Sequence, residues 1–217
     1  NSADLSSFDN RSVIAAGNGN AGGIIGKNTG SYSVSNCDNY GTVTAVSGYA
    51  GGIVAENSGT IKFCTNRGNI SSSAGSAGGV TGNNTGNIDT CTVTGGLRVS
   101  ITALNNVGGI SGSNSGTIQE CTIDQTSVTN TSKSTKESLA GGIAGKNSGI
   151  ILLAGGKLQN SEVITCANGS SAGGVVGENS GGGKISGQTG PETSVQIKNV
   201  DLKTASAVSL SLIHISE

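Results

Sequence analysis

Six near-copies of one short phrase constrain this chain more than anything else in it. They read AGGIIGKNTG from Ala21, AGGIVAENSG from Ala50, AGGVTGNNTG from Ala77, VGGISGSNSG from Val107, AGGIAGKNSG from Ala140 and AGGVVGENSG from Ala172. Their first glycines, Gly22, Gly51, Gly78, Gly108, Gly141 and Gly173, are spaced 29, 27, 30, 33 and 32 residues apart. A fixed period in this range marks an array in which each unit buries its apolar face on the next. Composition agrees. A globule of 217 residues usually fills its centre with bulky side chains, yet aromatic residues are 2% of this chain and Gly accounts for 38 positions. A narrow core of small aliphatics suits such a chain. With only 12% charged and 33% hydrophobic residues, it does not read as a solvated disordered tail.

Each unit continues past its Asn in the same way. An apolar residue follows (Ile61, Ile88, Ile118, Ile151), and three residues later a Cys (Cys64, Cys91, Cys121). Copy one has two extra residues, so Val34 and Cys37 take these places. A third β-branched segment comes next, such as GTVTAV or GNISSS. Short β-branched runs bounded by Gly, Ser and Asn are strand and turn signals. The sequence therefore predicts an all-β parallel β-solenoid (β-helix) of about 6–7 coils, 27–33 residues per coil, with about three short strands each.

The whole chain, 1–217, reads as one solenoid domain. Residues 1–20 form a partial first coil, because FDNRSVIAAGNGNAGG aligns without gaps on CDNYGTVTAVSGYAGG and puts Phe8 at the Cys position. Six coils fill 21–188, with insertions at 92–106, 122–139 and 152–171. The insertion 122–139, rich in Thr, Ser and Lys, is expected to project as a surface loop or extra hairpin. Residues 189–217 read as degenerate final strands after the break at Pro191. The closing SLIHISE (211–217) resembles a translated sequencing-adaptor tail, which would strip His214 of biological meaning; the alternative is a genuine last strand. The start, NSADLSSFDN, has no Met and no signal-peptide pattern and reads as a processed or excised N-terminus.

In-register stacking would turn each repeated position into a ladder. The Asn ladder is Asn28, Asn57, Asn84, Asn114, Asn147 and Asn179. Amides stacked about 4.8 Å apart can bond to the ones above and below. The phrase GGxGxN is similar to the GGxGxD loops of calcium-binding β-rolls, but calcium wants carboxylates, so a structural role is expected and no metal. The Gly after each Asn-Ser/Thr (Gly30, Gly59, Gly86, Gly116, Gly149, Gly181) is expected to hold positive φ in a turn. The Cys ladder is Cys37, Cys64, Cys91 and Cys121, with Phe8, Ala154 and Ser186 at the equivalent places; it reads as unpaired core thiols. Just before the Asn stand Lys27, Glu56, Asn83, Ser113, Lys146 and Glu178, which puts opposite charges on neighbouring coils. It also makes Lys27 and Glu178 a candidate end-to-end contact between subunits.

Several function classes lack their parts. Net charge is −1, which leaves no basic footprint for nucleic acid. No apolar run approaches the roughly 20 residues of a membrane-spanning helix. Carboxylates do not recur at a coil position, and no cofactor or catalytic group is expected. Thr-rich solenoid faces order water, but the motif alternates Thr29 and Thr85 with Ser58, Ser115, Ser148 and Ser180, which ranks ice binding low.

The stretch GGIVAENSGTIKFCTNRGNIS resembles the GLUG repeat, whose pattern is close to GGLVGxNxGxIxNCxxxGxV. The resemblance covers most of 21–188, and copies one to four fit best; copies five and six lose the Cys. It implies a secreted or cell-surface bacterial protein, a large adhesin or a non-catalytic part of an IgA-type metallopeptidase. The His-Glu-x-x-His of those peptidases is absent from this sequence. The expectation is thus an extracellular, non-enzymatic β-solenoid that stacks head to tail into a fibre or adjoins further domains of a longer protein. The alternative is an adhesin module that binds glycan or host protein through 122–139.

Overall fold

The computed structural model describes residues 3–132, 138–153, 158–159, 163–166, 171–187, 197–198 and 202–204. Among them there is no helix, and every strand pair is parallel. The chain winds as a β-solenoid. Six Gly-Gly rungs stack in the order of the sequence, which makes five full turns from first to last.

One coil carries five short strands rather than three. In the second coil they are Ala50–Gly51, Val54–Asn57, Thr60–Lys62, Thr65–Asn66 and Ile70–Ser72. They stack into four sheets: a Gly-Gly sheet and an Asn sheet of six strands each, a seven-stranded sheet through Thr60–Lys62, and a twelve-stranded sheet holding the last two segments. Strands of two or three residues are too short to show a period of two, so only the longer apolar runs are visible in sequence.

The interior is a set of aliphatic ladders. Val34, Ile61, Ile88, Ile118 and Ile151 stack in the seven-stranded sheet, and Val43, Ile70, Ile101, Val128 and Ile164 in the twelve-stranded one. All are buried. A third ladder, Ile53, Val80, Ile110 and Ile143, lines the inside between the Gly-Gly and Asn sheets. Each such side chain gains about 1.5–3 kcal/mol from leaving water.

A backbone kink turns the corner from the seven- to the twelve-stranded sheet. Ser7, Asn36, Phe63, Thr90 and Glu120 occupy one coil position, and all have positive φ, from 49° to 61°. In an unbroken strand Phe63 would follow Ile61 inward. The left-handed residue instead sends Phe63 out, 52% exposed, and lets Ile61 and Cys64 both face the core. The amide of each kinked residue still donates to the next coil, as Phe63 does to Asp89 at 3.2 Å. That bond holds a conformation costing about 1–3 kcal/mol for a non-Gly residue.

The glycine after Asn-Ser/Thr has a different job from the expected one. Only Gly30 and Gly181 have positive φ. Gly59, Gly86, Gly116 and Gly149 are needed because the coils approach too closely there: a Cβ at Gly116 would overlap the Gly86 carbonyl oxygen, and one at Gly149 the Gly116 carbonyl. Copies one and six have turns two residues longer, so Tyr32 and Gly183, not Gly30 and Gly181, fall in that register. The longer turn of copy six also corrects the Cys register. Ser186 pairs with Leu152, two residues short of the expected place; Ala154 lies outside the described residues.

The insertions also differ from expectation. Thr92–Ala103 and Thr122–Asn130 are continuous strands of the twelve-stranded sheet, paired with a register shift between Thr94 and Val99. Ile123 and Val128 are buried, so 122–130 is part of the wall and does not project. Residues 133–137 lie outside the described part. Of 189–217, Ile197–Lys198 and Leu202–Thr204 add two strands, on Leu158–Gln159 and Val163–Cys166. Pro191 and 211–217, with His214, lie outside the described residues.

Close stacking predicts a position-specific cost. Gly116→Ala will lower the midpoint of urea unfolding, whereas Gly17→Ala, whose Cβ would meet nothing within 4 Å, will leave it unchanged or raise it slightly. Equal midpoints for the two variants would contradict the close-approach reading.

Candidate functional site

The repeated Asn side chains form one continuous chain of hydrogen bonds. Asn28 Nδ2 donates to Asn57 Oδ1 at 2.9 Å, and the series runs on through Asn84, Asn114 and Asn147 to Asn179 at 2.7–2.8 Å. Asn28, Asn57, Asn84 and Asn147 are fully buried. The second donor hydrogen of each inner amide goes to a turn carbonyl two residues on, as from Asn57 to Gly59 at 3.1 Å. In the longer turns of copies one and six the acceptor is four residues on, Tyr32 or Gly183. The expected ladder is therefore present at all six positions, and its amides are spent on one another and on the turns. All dipoles point the same way along the rod, an arrangement in which each bond polarises the next.

A second, shorter ladder escaped the sequence reading. Asn10 donates to Asn39 and Asn39 to Asn66, both at 2.8 Å, and each closes an Asx turn, as Asn66 does onto Gly68. The signal was present in the alignment of FDN with CDN and in TNRG. The ladder stops at Val93, which occupies the next register position where the turn has become a continuous strand.

The Cys column is core. Cys37, Cys64, Cys91, Cys121 and Cys166 are buried and unpaired. The ladder thiols bond to backbone carbonyls, such as Cys37 to Ser35 at 3.2 Å. Burial pushes Cys37, Cys91 and Cys166 above the ordinary thiol value, and the neighbouring Cys91 thiol, then burial, raises Cys64. Phe8 sits in register beneath Cys37, but nothing covers its ring from the N-terminal side among the described residues, and it is 53% exposed against 0% for Cys37.

Charges lie on the outside in short pairs. Lys27 meets Glu56 at 3.0 Å, and Lys146 meets Glu178 at 3.3 Å. Both members of the candidate end-to-end contact are thus already paired within the chain. Ser180, then Lys146, lowers the Glu178 carboxyl. Asp9 and Asp38 do share a coil position, contrary to expectation, and each has an arginine, Arg11 at 3.7 Å and Arg67 at 2.9 Å. Arg11 and Arg67 also lie over the Tyr40 ring, 4.3 and 5.1 Å from its centroid. Among the described residues no three His, Cys, Asp or Glu are placed to hold a metal.

No family model, curated protein or solved structure matches the chain.

The surface offers two further features. A groove of about 750 Å³ runs between the Gly-Gly and Asn sheets, walled by Tyr49, Ser76 and Asn106 on one side and Ser113 and Lys146 on the other. The second is the outward face of the twelve-stranded sheet. Thr44, Ser71, Thr102, Thr129 and Thr165 stack there in one unbroken column, all half-buried. Sequence reasoning missed this column because it sought Thr inside the repeated motif, while the column lies in the variable third segment and in two insertions.

The ladder predicts that Asn84→Ala destabilises far more than Asn83→Ala next to it. It strands a donor on Asn57 and an acceptor on Asn114, at about 1–3 kcal/mol for each buried group. Asn83→Ala, on the outer face, should stay within about 0.5 kcal/mol. Urea denaturation of both variants decides it. The thiols give a pH dependence. Their folded values lie above the ordinary 9.0, so above pH 9 the unfolded chain loses protons that the folded one keeps. Stability should be insensitive to these groups below pH 9 and fall above it, and Cys91→Ala should flatten that fall.

Proposed function

We propose that the chain is a non-catalytic structural rod, a solenoid module that stacks end to end into an extracellular or cell-surface fibre. The observation that carries this reading is where the repeated residues go. The Asn amides, the close glycines, the aliphatic ladders and the Cys column all serve to hold coil to coil. What repeats is a device for adding one more rung.

The first rung supports the assembly. Ile14, Ile24 and Ile25 are only partly buried there, whereas Val43, Ile53 and Val54, their counterparts one coil on, are fully buried. An apolar rung with strand edges facing outward is a template for another strand. A second copy, or a neighbouring part of a longer protein, supplies it; between copies the contact is heterologous and non-closing. In that contact the next copy's Leu5–Ser6 follows Lys184–Ser186 in the seven-stranded sheet, which leaves Asn179 and Glu178 one rung short of the next Asn28 and Lys27, so the expected Lys27–Glu178 contact does not form. The location outside the cell rests on the GLUG resemblance. Of the segment 122–139 that the adhesin alternative would use, Thr122–Asn130 is a strand of the wall.

Light scattering over a concentration series, with electron microscopy at the highest concentration, tests the reading. The full chain should grow into rods of constant width, and Ile14→Lys with Ile25→Lys, at the edge of the first rung, should stop growth while keeping the β spectrum. A monodisperse monomer at every concentration overturns it.

A further inference from the structure

We propose that the hydroxyl face of the twelve-stranded sheet binds ice. The inference stands apart from end-to-end assembly and needs only one folded chain. It rests on the column Thr44, Ser71, Thr102, Thr129 and Thr165, in which register alone brings together residues 27 to 36 positions apart in sequence. Hydroxyls on adjoining rungs recur every ~4.8 Å. Ser100 and Ser127, two residues back along the same strands, add a second row on the same face about 6.7 Å away. At a third outward place in this sheet, Thr65, Thr92 and Thr122 stack in register, beyond Asp9 and Asp38 in the same column. The result is an incomplete grid of hydroxyls, with Asp124 standing between Thr122 and Ser127 and the second row ending at Val163.

The chemistry of that grid fits ordered water. A hydroxyl both donates and accepts a hydrogen bond, so each one anchors a water molecule. The Thr methyls between them offer water no partner and leave it to bond sideways to its neighbours. Water held at the rung spacing repeats at nearly the interval of water molecules along a crystal axis of ice. The side chains are fixed in advance: all are half-buried in the sheet, and Ser71 Oγ donates to Thr44 Oγ1 at 3.3 Å. A preorganised grid costs little ordering when the solid docks on it.

Strand propensity alone does not account for the column. Thr suits any exposed strand position, so the seven-stranded sheet serves as an internal control. Its outward columns run Thr60, Asn87, Thr117, Ile150, Lys184 and Lys62, Asp89, Gln119, Leu152. Amides, aliphatics and charges all enter there, whereas the other column opens on Ala15, holds hydroxyls only from Thr44 to Thr165, and closes on Lys203. Charged groups keep their own water shells and end the pattern, as Asp38 does next to Thr65 and Lys203 next to Thr165. Aromatic rings, which would provide a stacking platform for sugars, are missing from the column, so the face favours a water lattice over a polysaccharide.

The experiment grows ice slowly on a cooled probe in a solution of the full chain. Protein is then measured in the ice and in the liquid, and thermal hysteresis is recorded on the same samples. The natural sequence should enter the ice and open a hysteresis gap. Thr102→Tyr and Thr129→Lys should each lose both effects, and Asn87→Tyr on the seven-stranded sheet should keep them, with circular dichroism confirming the fold of every variant. Two substitutions on the face guard against one failing to fold. Exclusion of the natural chain from ice, or equal loss in Asn87→Tyr, overturns the proposal. So does exclusion from ice together with retention on insoluble polysaccharide particles.

Discussion

Everything in this molecule depends on how closely one coil can lie on the next. The separation is set by backbone hydrogen bonding between parallel strands, and a side chain at Gly86 or Gly116 would push the coils apart. At that separation an Asn in one coil reaches the Asn in the next with a bond of 2.7–2.9 Å. The amide bond in turn fixes register, because a slip of one residue would turn the Asn out to solvent and bring a neighbour such as Glu56 or Ser58 inside. Glycine and asparagine thus act as a pair, the one permitting contact and the other specifying it. A core with hardly any aromatic residues follows, since the space enclosed by such thin walls is filled by Ile and Val.

The same stacking carries pattern to the surface. Whatever residue type recurs at an outward position becomes a row along the rod. Where the type changes from coil to coil, as from Lys27 to Glu56 to Asn83, the row becomes a set of local pairs such as Lys27–Glu56. Where it stays constant, as from Thr44 to Thr165, the row becomes a lattice. The proposed rod-building and lattice-presenting roles therefore draw on one geometry and do not compete for residues.

The solenoid, its period, the Asn ladder and the burial of the Cys column were legible in the sequence because each is written once per coil at nearly fixed spacing. What was not legible has particular causes. Strands of two residues, such as Thr65–Asn66, are too short to show alternation. The left-handed corner at Phe63 uses a residue that rarely adopts positive φ, so it carries no mark. Two extra residues in copy six moved the Cys register past Ser186, a shift that the same extension in copy one had already revealed. The insertions 92–106 and 122–139 lengthen a wall strand, and only their pairing with each other discloses it. The Thr column is invisible until register aligns Ser71 with Thr102 and Thr129, since the spacing between its members varies.

The central claim is that a buried, doubly donating amide chain holds the coils in register. Hydrogen exchange of the side-chain amides, followed by NMR, reaches it most directly. The account predicts that the Nδ2 hydrogens of Asn57, Asn84, Asn114 and Asn147 exchange as slowly as core backbone amides such as that of Ile110, while those of Asn18 and Asn83 exchange at once. Fast exchange of the four ladder amides in the folded protein would contradict it.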